Sequence, residues 1–189
     1  LFNNYYASDR VPSYVACWGR NTEGQLGINS TTASPFMQNS VSTSGTGILT
    51  QVFTLSAGYS FACTVMTNGS VLCWGDNSHA QLGRPGTYPL AGCTGGGELG
   101  TEPTNCFSTI PLAIPTLGAN NPSINIATGQ FHACVILRDS GRIQCWGAND
   151  SGQLGNGTSG SPSSTPVFVQ DTSGNILTNA VDITAGEAH

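Results

Sequence analysis

Short apolar spans alternate with polar residues along this chain: Phe53 and Leu55, Ile124 and Ile126, and Val181 and Ile183 each stand a few residues before a glycine. A period of two predicts half-buried β-strands. Runs led by proline, Pro35-Phe36-Met37, Pro111-Leu112-Ala113-Ile114 and Pro166-Val167-Phe168-Val169, predict further short strands at a second recurring place. No helical period extends over a useful length. The pattern therefore predicts an all-β chain whose strands come in groups of four.

The grouping follows from internal repetition. Cys17-Trp18-Gly19, Cys73-Trp74-Gly75 and Cys145-Trp146-Gly147 are each followed, at an identical offset, by Gln-Leu-Gly at Gln25, Gln81 and Gln153. Upstream, Ala57-Gly58-Tyr59-Ser60-Phe61-Ala62-Cys63 matches Thr128-Gly129-Gln130-Phe131-His132-Ala133-Cys134, and Ala185-Gly186-Glu187-Ala188-His189 begins a third copy. Fixed-period repeats signal a repeat architecture. The phrases divide the chain into a partial repeat at 1–19 and repeats at 20–75, 76–147 and 148–189, the last running on into a further copy. The second repeat carries an insertion, 84–108, and such insertions usually map to loops on one face.

The order Ala-Gly-x-x-His/Phe-x-Cys, Gly-x-Val/Ile-x-Cys-Trp-Gly, Asn-x-x-Gly-Gln-Leu-Gly, Pro-x-x-Val resembles the regulator-of-chromosome-condensation repeat family, in its secreted, disulfide-containing branch. The resemblance covers nearly all of residues 13 to 189. It implies β-propeller-type blades of four antiparallel strands around a central channel, about three of the usual seven. A piece of that size leaves sheet faces and strand edges open. The resemblance thus implies a segment of a longer propeller, or one whose neighbours come from copies of itself. It also implies that Trp18, Trp74 and Trp146 belong to the packed core of each repeat. A light-absorbing role, as in the family's plant ultraviolet receptor, is not needed to explain them.

Charge narrows the partners. Five Lys+Arg against ten Asp+Glu give a net charge of −5, and so few cations make no basic face for nucleic acid. No stretch approaches the ~20 apolar residues that span a bilayer. The chain opens at Leu1 without a basic-then-apolar leader, as a mature or excerpted segment would.

Seven cysteines, five of them at repeat positions, favour structural bridges in an oxidising compartment; free buried cysteines, packing as small hydrophobes, are the alternative. If Cys63 faces Cys73, the turn closes on Thr67-Asn68-Gly69; if Cys134 faces Cys145, it closes on Arg138 to Gly141. In both, the last loop residue is a glycine, where positive φ is needed. A one-residue slip would set the sulfurs on opposite faces. Cys93 and Cys106 most simply pair within the insertion. Cys17 is left over, because Ala7 stands where its partner would be; its expected partner lies just past His189 in a fuller chain, or in another copy. The spacings resemble no zinc site.

No catalytic constellation emerges, and no cofactor or metal is expected. His132 and His189 occupy the position of Phe61, a packing site, and His79 stands elsewhere in its repeat. Glu23, Asp76 and Asp150 lie in loops where carboxylates satisfy turn backbone, and Asn149-Asp150-Ser151 lacks the spacing of a calcium loop. Asn29, Asn68, Asn149 and Asn156 begin glycosylation sequons, Asn156 the best candidate because its loop is expected to be exposed and Asn68 in a tight turn. The sequence thus predicts an extracellular, non-enzymatic repeat module that binds protein or acts as scaffold. The alternative is a subunit of an extracellular fibre built from contacts between copies.

Overall fold

A computed structural model describes residues 13–84, 107–118 and 120–189. Cys93 and Cys106 lie outside the described residues. Among the described residues, ten strands form three antiparallel sheets. β1 (Ala16–Gly19) pairs with β2 (Ser34–Asn39). The next sheet has the order β3-β4-β5-β6, built from Val52–Ala57, Phe61–Met66, Val71–Asp76 and Phe107–Ala113. The last repeats that order with β7 (Ser123–Thr128), β8 (His132–Leu137), β9 (Ile143–Gly147) and β10 (Ser163–Phe168). Two blades are therefore complete, and β1–β2 is the outer half of a third.

Each sheet straddles the sequence repeats, because Cys-Trp-Gly forms the third strand of a blade and the fourth comes after the next loop. Residues 107 and 108, inside the stretch assigned to the insertion, belong to β6. The alternation at Val181 and Ile183 predicts a strand, yet residues 181–189 join no ladder. A strand needs a neighbour to satisfy its backbone, and no described segment lies alongside to supply one.

The register explains the glycine after each tryptophan. β5 meets β6 in register at Cys73↔Leu112, then slips before Gly75↔Ser108; the outer pairings of β1 and β9 are irregular at the same place. Gly75 and Gly147 take φ of 98° and 101° at this bulge. A Cβ on Gly75 would lie 2.5 Å from the carbonyl oxygen of Ser60. Only glycine fits.

The blades pack through their faces. Phe61, Val65, Val71, Leu82, Ile114, Ile126, Val135 and Trp146 share one buried cluster between the two complete blades. A second cluster, including Val15, Leu49, Ala62, Leu72 and Trp74, joins the β1–β2 region to the next blade.

Each loop after Cys-Trp-Gly has one internal organiser. The buried amides Asn21, Asn77 and Asn149 accept, through Oδ1, the backbone N–H of Leu26, Leu82 and Leu154 at 2.9, 2.9 and 3.2 Å. Two successive turns run from each asparagine to the glycine after the leucine, and their shared corner is Gly24, Ala80 or Gly152. All three corners have positive φ: 74°, 62° and 77°. A Cβ in the left-handed region costs about 1–2 kcal/mol, part of which glycine's greater unfolded-state freedom offsets. Ala80→Gly is expected to raise stability by about 0.5–1 kcal/mol, read as a higher denaturant midpoint at unchanged slope.

Candidate functional site

The sheet topology collects chemistry at one end. The β3–β4 and β7–β8 turns and the loops that follow β1, β5 and β9 all emerge at the same end of their sheets. The turns are tight. Gly58 and Gly129 donate their N–H to the carbonyls of Phe61 and His132 at 2.9 and 2.8 Å, and Gly186 repeats this with His189. Successive turns are also joined to one another: Tyr59 N–H donates to Gln130 O at 3.4 Å, and Gln130 N–H to Glu187 O at 3.2 Å. Ser56 and Thr128 hydroxyls meet at 2.8 Å one step further in.

On this rim three rings gather. His79 stacks on Phe131 with centroids 4.3 Å apart and planes 16° from parallel. Tyr59 stands edge-on to Phe131 at 6.0 Å and is 66% exposed. The sequence hid this cluster, because its members come from three different repeat positions. The available signal was Tyr59 itself, an aromatic in the variable slot of Ala-Gly-x-x where the next repeats carry Gln130 and Glu187.

Asp76, Ser78 and His79 come nearest to a catalytic arrangement and are wired in the wrong order. Ser78 Oγ–H donates to Asp76 Oδ2 at 2.8 Å, which leaves Ser78 Oγ to accept from His79 Nδ1 at 3.0 Å. A nucleophilic serine needs the histidine to accept its proton and the carboxylate to orient the histidine. Asp76 also receives Ser78 N–H and the Gln81 amide at 3.0 and 2.8 Å, so it organises its own loop. His132 is buried, and that burial pushes its imidazole below the usual histidine range. Its Nδ1 has no hydrogen-bond partner among the described residues. His189 is exposed. No group of three or more metal-ligating side chains occurs among the described residues, nor any helix long and apolar enough to cross a membrane.

Both inner hairpins of the complete blades are bridged. Cys63–Cys73 and Cys134–Cys145 have Cα–Cα distances of 4.1 Å and sit in direct register, with Gly69 and Gly141 at φ 84° and 58° closing the loops. Cys17 holds the matching place in β1 as a free thiol. Burial pushes that thiol up, and a hydrogen bond from Ser40 at 3.7 Å pulls the other way.

The tryptophans divide. Trp74 donates its indole N–H to Gln25 O at 2.9 Å, and Trp146 donates to Gln81 O at 2.8 Å. Both are fully buried. The glycine of the same Gln-Leu-Gly presses on the ring, since a Cβ on Gly27 or Gly83 would reach the indole at 2.8 or 2.9 Å. Each loop thus staples itself to the tryptophan of the following blade. Trp18 departs from the expectation of a core residue: it is 65% exposed, because no described Gln-Leu-Gly loop precedes it.

The sequon residues divide too. Asn149 is buried; its Oδ1 holds Leu154 N–H and its Nδ2 donates to Thr158 O at 3.1 Å, so it is closed to a glycan. Asn29 and Asn68 are exposed and Asn156 is half-buried. Asn68 and Asn156 each accept, on Oδ1, the hydroxyl of the sequon's own third residue, at 2.7 and 2.8 Å.

Comparison with known proteins agrees with this architecture. Human E3 ubiquitin-protein ligase HERC2 is 26% identical over 93% of this chain, which spans 3% of that protein. Human probable E3 ubiquitin-protein ligase HERC4 is 30% identical over 77% of the chain and 17% of its own length. In fold, Prp20p from Saccharomyces cerevisiae, described with its binding to Gsp1p and histones, superposes with a TM-score of 0.66 at 15% identity, over 91% of this chain and 37% of Prp20p. The same yeast protein bound to Kap60 gives 0.64 at 16% identity, over 92% and 36%. This chain thus spans a small part of its curated relatives and little more than a third of the solved propellers. The family model for the regulator of chromosome condensation (RCC1) repeat matches residues 68–136 and 140–189, and with the repeated blades, bridges and tryptophan staples the chain belongs to that family.

Proposed function

We propose that this RCC1-repeat module is extracellular and non-enzymatic and binds a protein partner through the rim bearing Tyr59, Phe131 and His79. The exposed Tyr59, braced edge-on by Phe131, carries the reading. A rigid aromatic with a polar tip on a loop-bearing face is the residue type that anchors protein interfaces. The two hairpin bridges support an oxidising compartment. The carboxylate-first wiring of Asp76, Ser78 and His79 supports binding over catalysis. The neighbours described with bound proteins, Prp20p with Gsp1p and Kap60, supply the analogy; the ligase relatives are far longer than the part matched here. Glycans, where added, belong on Asn29, Asn68 or Asn156.

The test is immobilised full chain challenged with the extracellular fraction of its source. Tyr59→Ser is expected to weaken capture of the retained protein at least ~10-fold, the loss of one aromatic anchor. Phe36→Ser, on β2, should leave capture unchanged. Equal capture by both variants, or Cys63 and Cys73 recovered reduced from native material, sinks the reading.

A further inference from the structure

The tight turns on the rim have bare crests. A Cβ on Gly58, Gly129 or Gly186 would run into the ring of Phe61, His132 or His189 packed against it, so each crest is glycine backbone. The bonds from Tyr59 N–H to Gln130 O and from Gln130 N–H to Glu187 O set the three turns side by side. A groove of about 410 Å³ runs over them, lined by Gly58, Tyr59, Thr128, Gln130, Gly186 and Glu187. The first turn contributes the exposed ring of Tyr59 and the third the exposed carboxylate of Glu187.

Charge at this end of the sheets is one-sided. Arg20 neutralises Glu23 at 2.7 Å, but Asp76, Asp150 and Glu187 pair with no cation among the described residues. The donors on Asp76, from Ser78 and Gln81, are neutral and leave its charge in place. All five cations of the chain are arginines. Arg84 is already engaged, and Arg138 and Arg142 belong to the β8–β9 hairpin at the opposite end. The rim therefore presents a negative potential to an approaching partner.

We propose, resting on the Tyr59 rim as the docking surface, that this groove takes an arginine-bearing segment of the protein partner, one guanidinium on the Tyr59 ring and further positive charge directed to Glu187. A guanidinium lies flat on an aromatic face and keeps its edge N–H groups free to bond. The Gln130 amide and the Glu187 carboxylate are the acceptors that the groove offers. An anionic segment would meet uncompensated carboxylates, and an apolar one would desolvate Glu187 without giving it a partner. Since glycine backbone forms the crests, charge rather than the shape of the intervening residues sets the preference.

The test uses the full chain with its bridges intact and capped Gly-Arg-Gly-Arg, Gly-Lys-Gly-Lys and Gly-Glu-Gly-Glu peptides, with binding followed by nuclear magnetic resonance shifts of the chain. The arginine peptide is expected to bind, the lysine peptide ~3-fold more weakly, and the glutamate peptide not at all. Tyr59→Leu, which keeps apolar bulk and removes the π face, and Glu187→Gln should each weaken the arginine peptide ~3-fold. Added salt should weaken it further, and Asp139→Asn, at the opposite end, should change nothing. No arginine binding, equal binding of the arginine and glutamate peptides, or binding indifferent to both rim variants would overturn the proposal. If capture of the extracellular partner still falls with Tyr59→Ser in that case, the rim stands as a docking surface for a partner of other chemistry. Capture indifferent to Tyr59→Ser, beside arginine binding that needs Tyr59 and Glu187, would instead keep the groove and remove Tyr59 as the anchor of that capture.

Discussion

Trp146→Ala is expected to destabilise the chain by about 3–5 kcal/mol, the cost of emptying a large core site. The indole is fully buried at the junction of the two complete blades, in the cluster that holds Val65, Leu82, Ile126 and Val135. Its removal opens a cavity and also strands the Gln81 carbonyl, which loses the 2.8 Å indole bond. Trp146→Phe gives an intermediate: it keeps most of the apolar contact but deletes the donor and part of the ring volume, so a loss of about 2–3 kcal/mol is expected. Trp18→Ala supplies the contrast. With its ring mostly in water, it should change the stability of the monomer by no more than ~0.5 kcal/mol. Urea midpoints on dilute monomeric chain measure all three. Equal losses at Trp18 and Trp146 would mean that the staple between blades does not set stability.

The contrast between Trp18 and Trp146 also marks what the sequence could and could not disclose. The repeat phrase, the strand class, the four-strand blade and the hairpin loops at Thr67–Gly69 and Arg138–Gly141 were legible, because each is fixed by local chemistry: alternation, a glycine needing positive φ, a loop length. The burial of each tryptophan was not, since all three share one phrase and differ only in whether a Gln-Leu-Gly loop stands before them in space. Asn149 gives the same lesson. Its sequon reads like that of Asn156, but it also heads the Asn-x-x-Gly-Gln-Leu-Gly loop, and the loop consumes both ends of its amide. The strand expected at Val181 and Ile183 failed for a non-local reason, the absence of a described partner strand. The aromatic rim was invisible because Tyr59, His79 and Phe131 meet only when neighbouring blades are placed side by side.

Removing both bridges is expected to unfold the chain at moderate temperature. Each closes a short loop, with separations of 10 and 11 residues, for which chain entropy gives about 2–3 kcal/mol apiece. Together they contribute about 5 kcal/mol, which equals the lower end of the net stability of ordinary domains. Alanine at Cys63, Cys73, Cys134 and Cys145 is the cleaner replacement, because serine would bury a hydroxyl. The single-bridge variants should stay folded with lowered midpoints. Reductant acting on the parent tests the same point kinetically. The bridges are buried, Cys63–Cys73 fully, and exchange requires a thiolate to reach a sulfur. In native buffer the bridges should therefore survive reductant for hours, with Cys63–Cys73 outlasting Cys134–Cys145, and both should reduce promptly once urea opens the sheets. The mass gained on alkylation counts the thiols released at each time. Release of both bridges within minutes in native buffer would mean that each hairpin opens without the rest of its blade. In that case the packing between blades, centred on Trp146, would carry the stability that the bridges are assigned here.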